Sequence, residues 1–162
     1  MASINSNETG IKPILDACCG SRMMWFDKQN PLAVFADIRK LQGTACDGRK
    51  IDVNPDVKHD FREMDFPDES FRMVVFDPPH LISAGKTSWL AQKYGVLNKD
   101  SWKDDIKRGF SECFRVLEIG GFLVFKWNCD QVKLKDVLAL THHKPLFGHR
   151  RLKTFFLVFA KV

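Results

Sequence analysis

An apolar run that stops at an acid followed by two prolines is the feature that most constrains this chain. Residues 74–80 read Val-Val-Phe-Asp-Pro-Pro-His, and the apolar part is typical of a buried strand. Neither proline can donate a ladder hydrogen bond and both fix their own φ, so the strand has to end there. Asp77 is therefore expected at the carboxyl end of a strand, where open α/β sheets bind ligands. The alternative is an ordinary strand end with a capping acid.

A second motif occupies residues 12–21, Lys-Pro-Ile-Leu-Asp-Ala-Cys-Cys-Gly-Ser. A short apolar strand ends at Asp16, and the small residues that follow include Gly20, which lets a ligand approach the backbone closely. Ser21 is a suitable N-cap for the next residues, so the pattern predicts a helix near 21–28. A strand, a tight turn and a helix form the first unit of a nucleotide-type site.

Strands and helical patterns alternate along the chain, which predicts an α/β fold with a mostly parallel sheet and helices on both faces. Strands are predicted near 12–17, 33–38, 56–60, 72–77, 121–127, 143–148 and 154–161, and helices near 21–28, 101–117 and 130–139. The last two strands leave no room for a crossover helix, so we expect them to pair antiparallel. Asp47-Gly48 predicts a hairpin turn within residues 39–55, and residues 81–100 are expected to form a lid over the Asp77 turn.

Two further acids compete for one role in binding. Asp37 ends the predicted strand Val34-Phe35-Ala36-Asp37, and an acid in that place can accept both hydroxyl groups of a ribose, as it does in dinucleotide sites. Asp52 is the alternative, because Ile51-Asp52-Val53 also reads as a strand with an acid.

Together these motifs resemble the class I S-adenosylmethionine-dependent methyltransferases, of the small single-domain phage or bacterial type. Asp16 with Gly20-Ser21 is similar to their first motif. Asp77-Pro78-Pro79-His80 is similar to the Asp-Pro-Pro-Tyr motif of the branch that methylates amines of nucleic-acid bases. The resemblance covers residues 11–162 and implies a Rossmann-like methyltransferase fold with an antiparallel final strand.

The resemblance implies S-adenosyl-L-methionine as the cofactor. We expect no metal, because the cysteines lack paired metal spacing. Asp16 and the backbone of the Gly20 turn would face the cofactor's amino-acid end, Asp37 its ribose, and Asp60 the adenine amine, with Phe61 beside the ring. The residues assigned to the cofactor are Asp16, Cys18, Gly20, Ser21, Asp37, Asp60, Phe61 and Asp77.

For the acceptor, the resemblance implies three catalytic residues. Asp77 and the carbonyl of Pro78 would hold an amine and stabilise its developing positive charge. His80 would stack on the acceptor or take the proton, since the pKa of a histidine lies near neutrality. Position 80 departs from the aromatic ring usual in this branch, and Arg22 stands where a second glycine is common. Trp127 either lines the acceptor pocket or belongs to the core.

Composition sets broad limits on partners. The 162 residues predict one domain over 11–162, preceded by a flexible tail over 1–10. A net charge of +5 permits a nucleic-acid partner. The densest basic cluster is expected in the turn of the last hairpin, where it would either bind phosphates or simply be solvated. Its members are Lys144, His149, Arg150, Arg151 and Lys153. No apolar run approaches the ~20 residues of a membrane span. Five cysteines without paired metal spacing fit free thiols in a cytoplasmic protein.

The sequence therefore predicts a methyltransferase acting on an acceptor amine, with a nucleic-acid base as one candidate acceptor. Transfer to a small molecule or a protein is the first alternative, and a non-catalytic binding module with the same fold is the second. A dinucleotide oxidoreductase needs a turn with at least three glycines, and only Gly20 is present. The identity of the acceptor and the oligomeric state do not follow from the sequence.

Overall fold

The computed structural model describes residues 12–45, 47–85 and 88–162, so the predicted tail over 1–10 lies outside the described residues. The strands are β1 (Ile14–Asp16), β2 (Ala33–Asp37), β3 (Leu41–Thr44), β4 (Lys50–Val53), β5 (Val57–Lys58), β6 (Phe71–Phe76), β7 (Leu117–Asn128), β8 (Phe147–Arg151) and β9 (Thr154–Ala160). The helices are α1 (Trp89–Tyr94), α2 (Trp102–Val116) and α3 (Leu134–Leu138).

Within the described residues, one mixed sheet has the order β5-β2-β1-β6-β7-β9-β8. The pairs among β5, β2, β1, β6 and β7 are parallel, whereas β9 runs antiparallel to both β7 and β8. The predicted mostly parallel α/β sheet with an antiparallel final strand is confirmed. After β1 the chain forms β2 on one side of β1, and later it forms β6 on the opposite side of β1. This reversal opens a crevice at the carboxyl ends of β1 and β6, where ligands bind in sheets of this kind.

Helix α2 covers the central strands with the apolar stripe that the sequence predicts. Ile106, Phe110 and Cys113 are buried in the main core, and the helix packs against β6 and β7. Gly109 lets the helix approach closely, because a Cβ there would lie 2.5 Å from the Cζ atom of Phe76. None of the helices in the described part of the chain is long and apolar enough to cross a membrane.

The predicted helix near 21–28 is wrong, since these residues form a series of turns. Gly20 and Arg22 both have positive φ, of 50° and 55°, and such residues do not continue a right-handed helix. Two side chains anchor the segment elsewhere. Trp25 Nε1 donates to Asp16 Oδ2 at 2.7 Å, and Arg22 Nη2 donates to Asp56 Oδ1 at 2.8 Å. These tertiary contacts outweigh the local helical preference.

The other two local predictions concern segments beside the crevice. β3 and β4 form the predicted antiparallel hairpin, and Gly48 takes a φ of 83° in its turn. Residues 81–100 contain α1, which ends at Gly95 with a φ of 78°. This short helix brings residues 93–96 to the crevice.

Candidate active site

A cavity of about 610 Å³ lies at the carboxyl edge of the parallel strands, within the size range of small-molecule sites. Its floor is the turn after β1, and its sides come from the ends of β2, β6 and β7. The end of α1 and one residue of β9 complete it. The lining residues are 16–21, 23, 24, 37–39, 61, 77, 79, 93–96, 126 and 156.

Three acids from three adjacent strands meet in this cavity. Asp16 ends β1, Asp37 ends β2, and Asp77 directly follows β6. Because the order of these strands is β2-β1-β6, their carboxyl ends lie side by side. The cavity is therefore rich in carboxylate acceptors, which suit hydroxyl-bearing and amine ligands. Arg39, Lys93 and Lys126 also line it and balance the formal charge of the three acids.

Asp16 is almost fully buried, with 3% of its surface exposed. Burial raises its pKa from 3.8 to about 7, and the nearby charges of Asp77 and Asp37 push it in the same direction. The indole of Trp25 and the backbone N–H of Cys18 donate to its two oxygens, at 2.7 and 3.3 Å, and both bonds oppose the rise. Burial therefore favours the protonated form of this carboxyl near neutral pH far more than for an exposed aspartate.

Asp37 is buried to a similar degree, but its carboxylate is fully engaged by hydrogen-bond donors. Oδ2 accepts from the backbone N–H of Gly20 at 2.9 Å. Oδ1 accepts from the backbone N–H and the Nε of Arg39, at 2.8 and 3.2 Å. The turn after β1 and the end of β2 are thus joined through this one side chain.

Asp77 forms an ion pair with Lys126, whose Nζ lies 2.5 Å from Asp77 Oδ2. Burial raises the pKa of Asp77, and the adjacent ammonium opposes that rise. Sequence reasoning assigned no role to Lys126. The signal lies in the strand register, because Phe76 pairs with Phe125 in parallel strands and the next residues, Asp77 and Lys126, are side by side.

Seven of the residues assigned from the sequence line the cavity: Asp16, Cys18, Gly20, Ser21, Asp37, Phe61 and Asp77. Asp60, Pro78 and His80 lie outside this lining. The carboxylate of Asp60 is held by Arg62, with Nε at 2.8 Å from Oδ1, and these bonds lower its pKa. Pro78 is buried in the turn.

The ring of His80 lies 5.5 Å from that of Tyr94, a lining residue, and 6.5 Å from that of Trp127, measured between centroids. Burial lowers its pKa, with the positive charge of Lys126 adding to the effect. His80 is therefore neutral at physiological pH. Trp127 belongs to the core, where it is 1% exposed and its Nε1 donates to Val132 O at 3.0 Å.

The structure separates the two candidates for the ribose acid. Asp52 lies in the β3–β4 hairpin, exposed to solvent, and accepts from Gln42 Nε2 at 3.0 Å. Asp37 lines the cavity, whereas Asp52 does not.

The thiols beside Asp16 are protonated and unsuited to nucleophilic chemistry. Burial raises the pKa of Cys18 well above its usual value and that of Cys19 to about 12. Cys18, Cys19, Cys113 and Cys129 are free in the described part of the chain. Cys19 packs with Ala33 and Phe35. The described residues include no group of three or more His, Cys, Asp or Glu side chains arranged for a metal ion.

All members of the basic cluster are exposed. Lys144 precedes β8, residues 149–151 lie on this edge strand, and only Lys153 lies in the hairpin turn where the sequence predicted the cluster. Lys153 pairs with Asp130, and Arg150 lies over the ring of Phe155 at 5.3 Å. His149 pairs in register with Phe156 of β9, and Phe156 lines the cavity. The basic edge is therefore continuous with one side of the cavity.

No protein-family model matches the sequence, and the search of curated proteins finds no match. A solved protein from Pyrococcus horikoshii superposes with a TM-score of 0.59 at 13% identity, over 92% of this chain and 82% of that one. A SAM-dependent methyltransferase from Methanosarcina mazei gives 0.54 at 12% identity, over 92% of each chain. One from Leishmania major gives 0.52 at 14% identity, over 90% of this chain and 63% of that one. At these identities the likeness establishes the fold, which is the Rossmann-like fold of these methyltransferases.

Proposed function

We propose that this protein is an S-adenosylmethionine-dependent methyltransferase that acts on an acceptor amine. The observation that carries the proposal is the meeting of Asp16, Asp37 and Asp77 in one cavity at the carboxyl edge of the sheet. The comparisons support it through the fold, since two of the solved structures with this fold are methyltransferases. Fold alone does not fix an activity, so the argument depends on the site.

The donor and acceptor groups of the cavity fit this cofactor. A sulfonium and an ammonium need nearby negative charge, and a ribose needs hydroxyl acceptors. Asp16 and the Gly20 turn would hold the amino-acid end and Asp37 the ribose. Phe61, which lines the cavity, would contact the adenine. We leave Asp60 out of the binding set because, unlike Asp37, it does not line the cavity.

When bound, the cofactor supplies an electrophilic methyl group on a sulfonium. The protein's contribution on the acceptor side is to orient an amine and stabilise positive charge on it. Among the described residues, Asp77 Oδ1 accepts no hydrogen bond, whereas Oδ2 is taken by Lys126. An amine would therefore bond to Oδ1 while Lys126 fixes the other oxygen. Pro78 lies outside the lining, so we assign its carbonyl no contact with the acceptor. His80 is neutral and outside the lining, so we assign it no contact with the acceptor.

A nucleic-acid base is the acceptor that the basic edge favours. The exposed side chains of His149 and Arg151 on β8 share the face of Phe156 and can contact phosphates. Through Phe156, this strand is connected to the wall of the cavity that contains Lys126. A base inserted beside Asp77 would thus have its backbone near a positive strand.

The Asp77–Lys126 pair supports a second candidate function, in which the methyl group is transferred to an acceptor other than an amine. The pair is also compatible with a non-catalytic module that transfers no methyl group. The ammonium is 2.5 Å from the carboxylate and offsets the negative charge that a cationic amine would need. A carboxylate or another anionic acceptor would meet Lys126 favourably instead.

Two measurements test these proposals. Titration calorimetry with S-adenosylhomocysteine should show one binding site per chain. Absence of binding at millimolar concentration would refute the proposed methyltransferase activity. Transfer of a radiolabelled methyl group to pools of DNA, RNA, protein and metabolites should then label nucleic acid, with Asp77→Asn as the inactive blank. Label found only in carboxylate-bearing metabolites would select the second candidate. Cofactor binding without any labelled product would indicate the non-catalytic module.

A further inference from the structure

Arg39 joins the carboxylate of Asp37 to the last turn of α1. Its Nε and Nη2 lie 3.2 and 3.4 Å from the two oxygens of Asp37. Its Nη1 lies 3.3 Å from the carbonyl oxygen of Gln92 and 3.5 Å from that of Lys93. We propose that Arg39 is a strap that holds α1 against the cavity, and that the hydroxyls of the cofactor ribose displace it from Asp37. This inference rests on the proposed function, because it takes Asp37 as the ribose acceptor.

The stereochemistry of Asp37 makes the strap and a ribose mutually exclusive. A carboxylate offers about four lone-pair positions, and four donors occupy them here. Two are the backbone N–H groups of Gly20 and Arg39, at 2.9 and 2.8 Å, which the turn after β1 and the end of β2 hold in place. The other two belong to the guanidinium of Arg39. The guanidinium is therefore the group that must leave when ribose hydroxyls bind.

The distances indicate that the guanidinium can be exchanged. Its contacts with Asp37, at 3.2 and 3.4 Å, are longer than the 2.7–2.9 Å typical of charge-assisted hydrogen bonds. The Arg39 side chain is 23% exposed, so a released guanidinium is close to water. Two vicinal hydroxyls would replace two long N–H contacts, while the shorter backbone bonds to Asp37 remain.

The other end of the strap holds a helix that is only partly buried, with Trp89 at its start packed against Ile51 and Val53. Helix α1 has six residues and buries none of them. A Cβ placed on Gly95, just after the helix, would lie 3.5 Å from Arg39 Nη1, so the backbone passes close to the guanidinium. Loss of the Asp37 contacts would free Arg39 to move and would loosen the end of α1. Cofactor binding and the position of α1 are thereby coupled through one side chain.

The first test compares two ligands on two proteins by calorimetry. Arg39→Met keeps much of the side-chain length and removes the guanidinium. S-adenosylhomocysteine should bind this variant about tenfold more tightly than wild type, the equivalent of one net hydrogen bond. The 2′,3′-dideoxyribose analogue of the ligand, which has no hydroxyls to compete with Arg39, should bind both proteins equally. Urea unfolding of both proteins checks that the variant is folded.

The second test needs no ligand. Amide hydrogen exchange of residues 89–95 should be faster in Arg39→Met than in wild type, because the strap is gone. Arg49→Met is the matched control, since Arg49 also contacts α1, over the ring of Trp89 at 4.7 Å, but does not touch Asp37. It should speed exchange at the start of α1 and leave the affinities for both ligands unchanged.

Three outcomes separate the possibilities. Weaker or unchanged binding of S-adenosylhomocysteine by Arg39→Met would overturn the strap, because the guanidinium would then help the ligand or ignore it. An equal gain for the dideoxy analogue would also overturn it, since the gain would not come from the hydroxyls. If the wild-type protein binds neither ligand, both the proposed function and the strap hypothesis are refuted. In each of the first two cases the proposed function survives.

Discussion

Replacing Asp16 by asparagine should stabilise the ligand-free protein at alkaline pH. The side chain is 3% exposed, and burial raises its pKa to about 7 from 3.8. At 1.36 kcal/mol per pKa unit, this difference costs the folded state about 4 kcal/mol once the group is ionised. Asparagine cannot ionise and keeps one oxygen to accept from Trp25. It loses the longer bond from the Cys18 N–H, of 3.3 Å, which is worth about 1 kcal/mol. The net gain is about 3 kcal/mol at pH 8.

The sign of the pH dependence follows from the direction of the shift. Between the unfolded and folded pKa values, the folded protein retains a proton that the unfolded chain has lost. The contribution of Asp16 to the free energy of unfolding therefore falls as the pH rises through this window. Asp16→Asn removes that fall, so its advantage over wild type should shrink to below about 1 kcal/mol at pH 5.

Urea unfolding of wild type and Asp16→Asn at pH 5 and pH 8 measures this difference. Asp65→Asn is the control, because Asp65 is exposed and its substitution should change the free energy of unfolding by less than about 0.5 kcal/mol. A variant that is less stable than wild type at pH 8 would refute the reasoning. So would a gain of equal size at both pH values, since the carboxyl would then carry no ionisation penalty.

Three further predictions concern the cavity and the helix behind it. Asp77→Asn should lower methyl transfer by about a hundredfold or more. The affinity for S-adenosylhomocysteine should stay within about threefold of wild type, because the Asp77–Lys126 pair lies on the acceptor side in our proposal. Unchanged turnover would refute the catalytic role of Asp77. Asp37→Ala should weaken S-adenosylhomocysteine by about tenfold or more through lost bonds to a charged group, whereas Asp52→Ala should have no effect in the same calorimetry. Gly109→Ala should lower the free energy of unfolding by about 1–2 kcal/mol, because the new Cβ would lie 2.5 Å from the ring of Phe76. The higher helix propensity of alanine offsets only about 1 kcal/mol of this cost. A variant that is more stable than wild type in urea would contradict this packing.

The features that could be predicted from sequence are those that local chemistry decides. The prolines after Asp77 end β6 whatever surrounds it, and the residues after Asp16 form a tight turn because Gly20 accepts a positive φ. The predicted α2 stripe holds because helical spacing alone places Ile106 and Phe110 on one face. The parallel order of the strands then brings the acids at their ends together without further information.

The features that were missed depend on partners distant in sequence. Residues 21–28 have a capping residue and helix-compatible side chains, yet Trp25 is held by Asp16 and Arg22 by Asp56. No local pattern encodes these contacts. The partner of Asp77 is equally hidden, since Lys126 is 49 residues away and meets it only through the register of β6 and β7.

The charges of the cavity explain why basic residues occur among its acids. Two buried carboxylates and the partly buried one of Asp77 repel one another in one cavity, and each costs free energy to desolvate. The chain offsets this cost with its own groups: Arg39 pairs with Asp37 and Lys126 with Asp77. Asp16 has no such cation among the described residues and is offset by a proton, as its pKa of about 7 indicates. A cationic ligand can replace that proton, so binding of S-adenosylmethionine near pH 7 should release protons from wild type and fewer from Asp16→Asn. Calorimetry in buffers of different ionisation enthalpy measures this release, and equal release by both proteins would place the binding charge elsewhere.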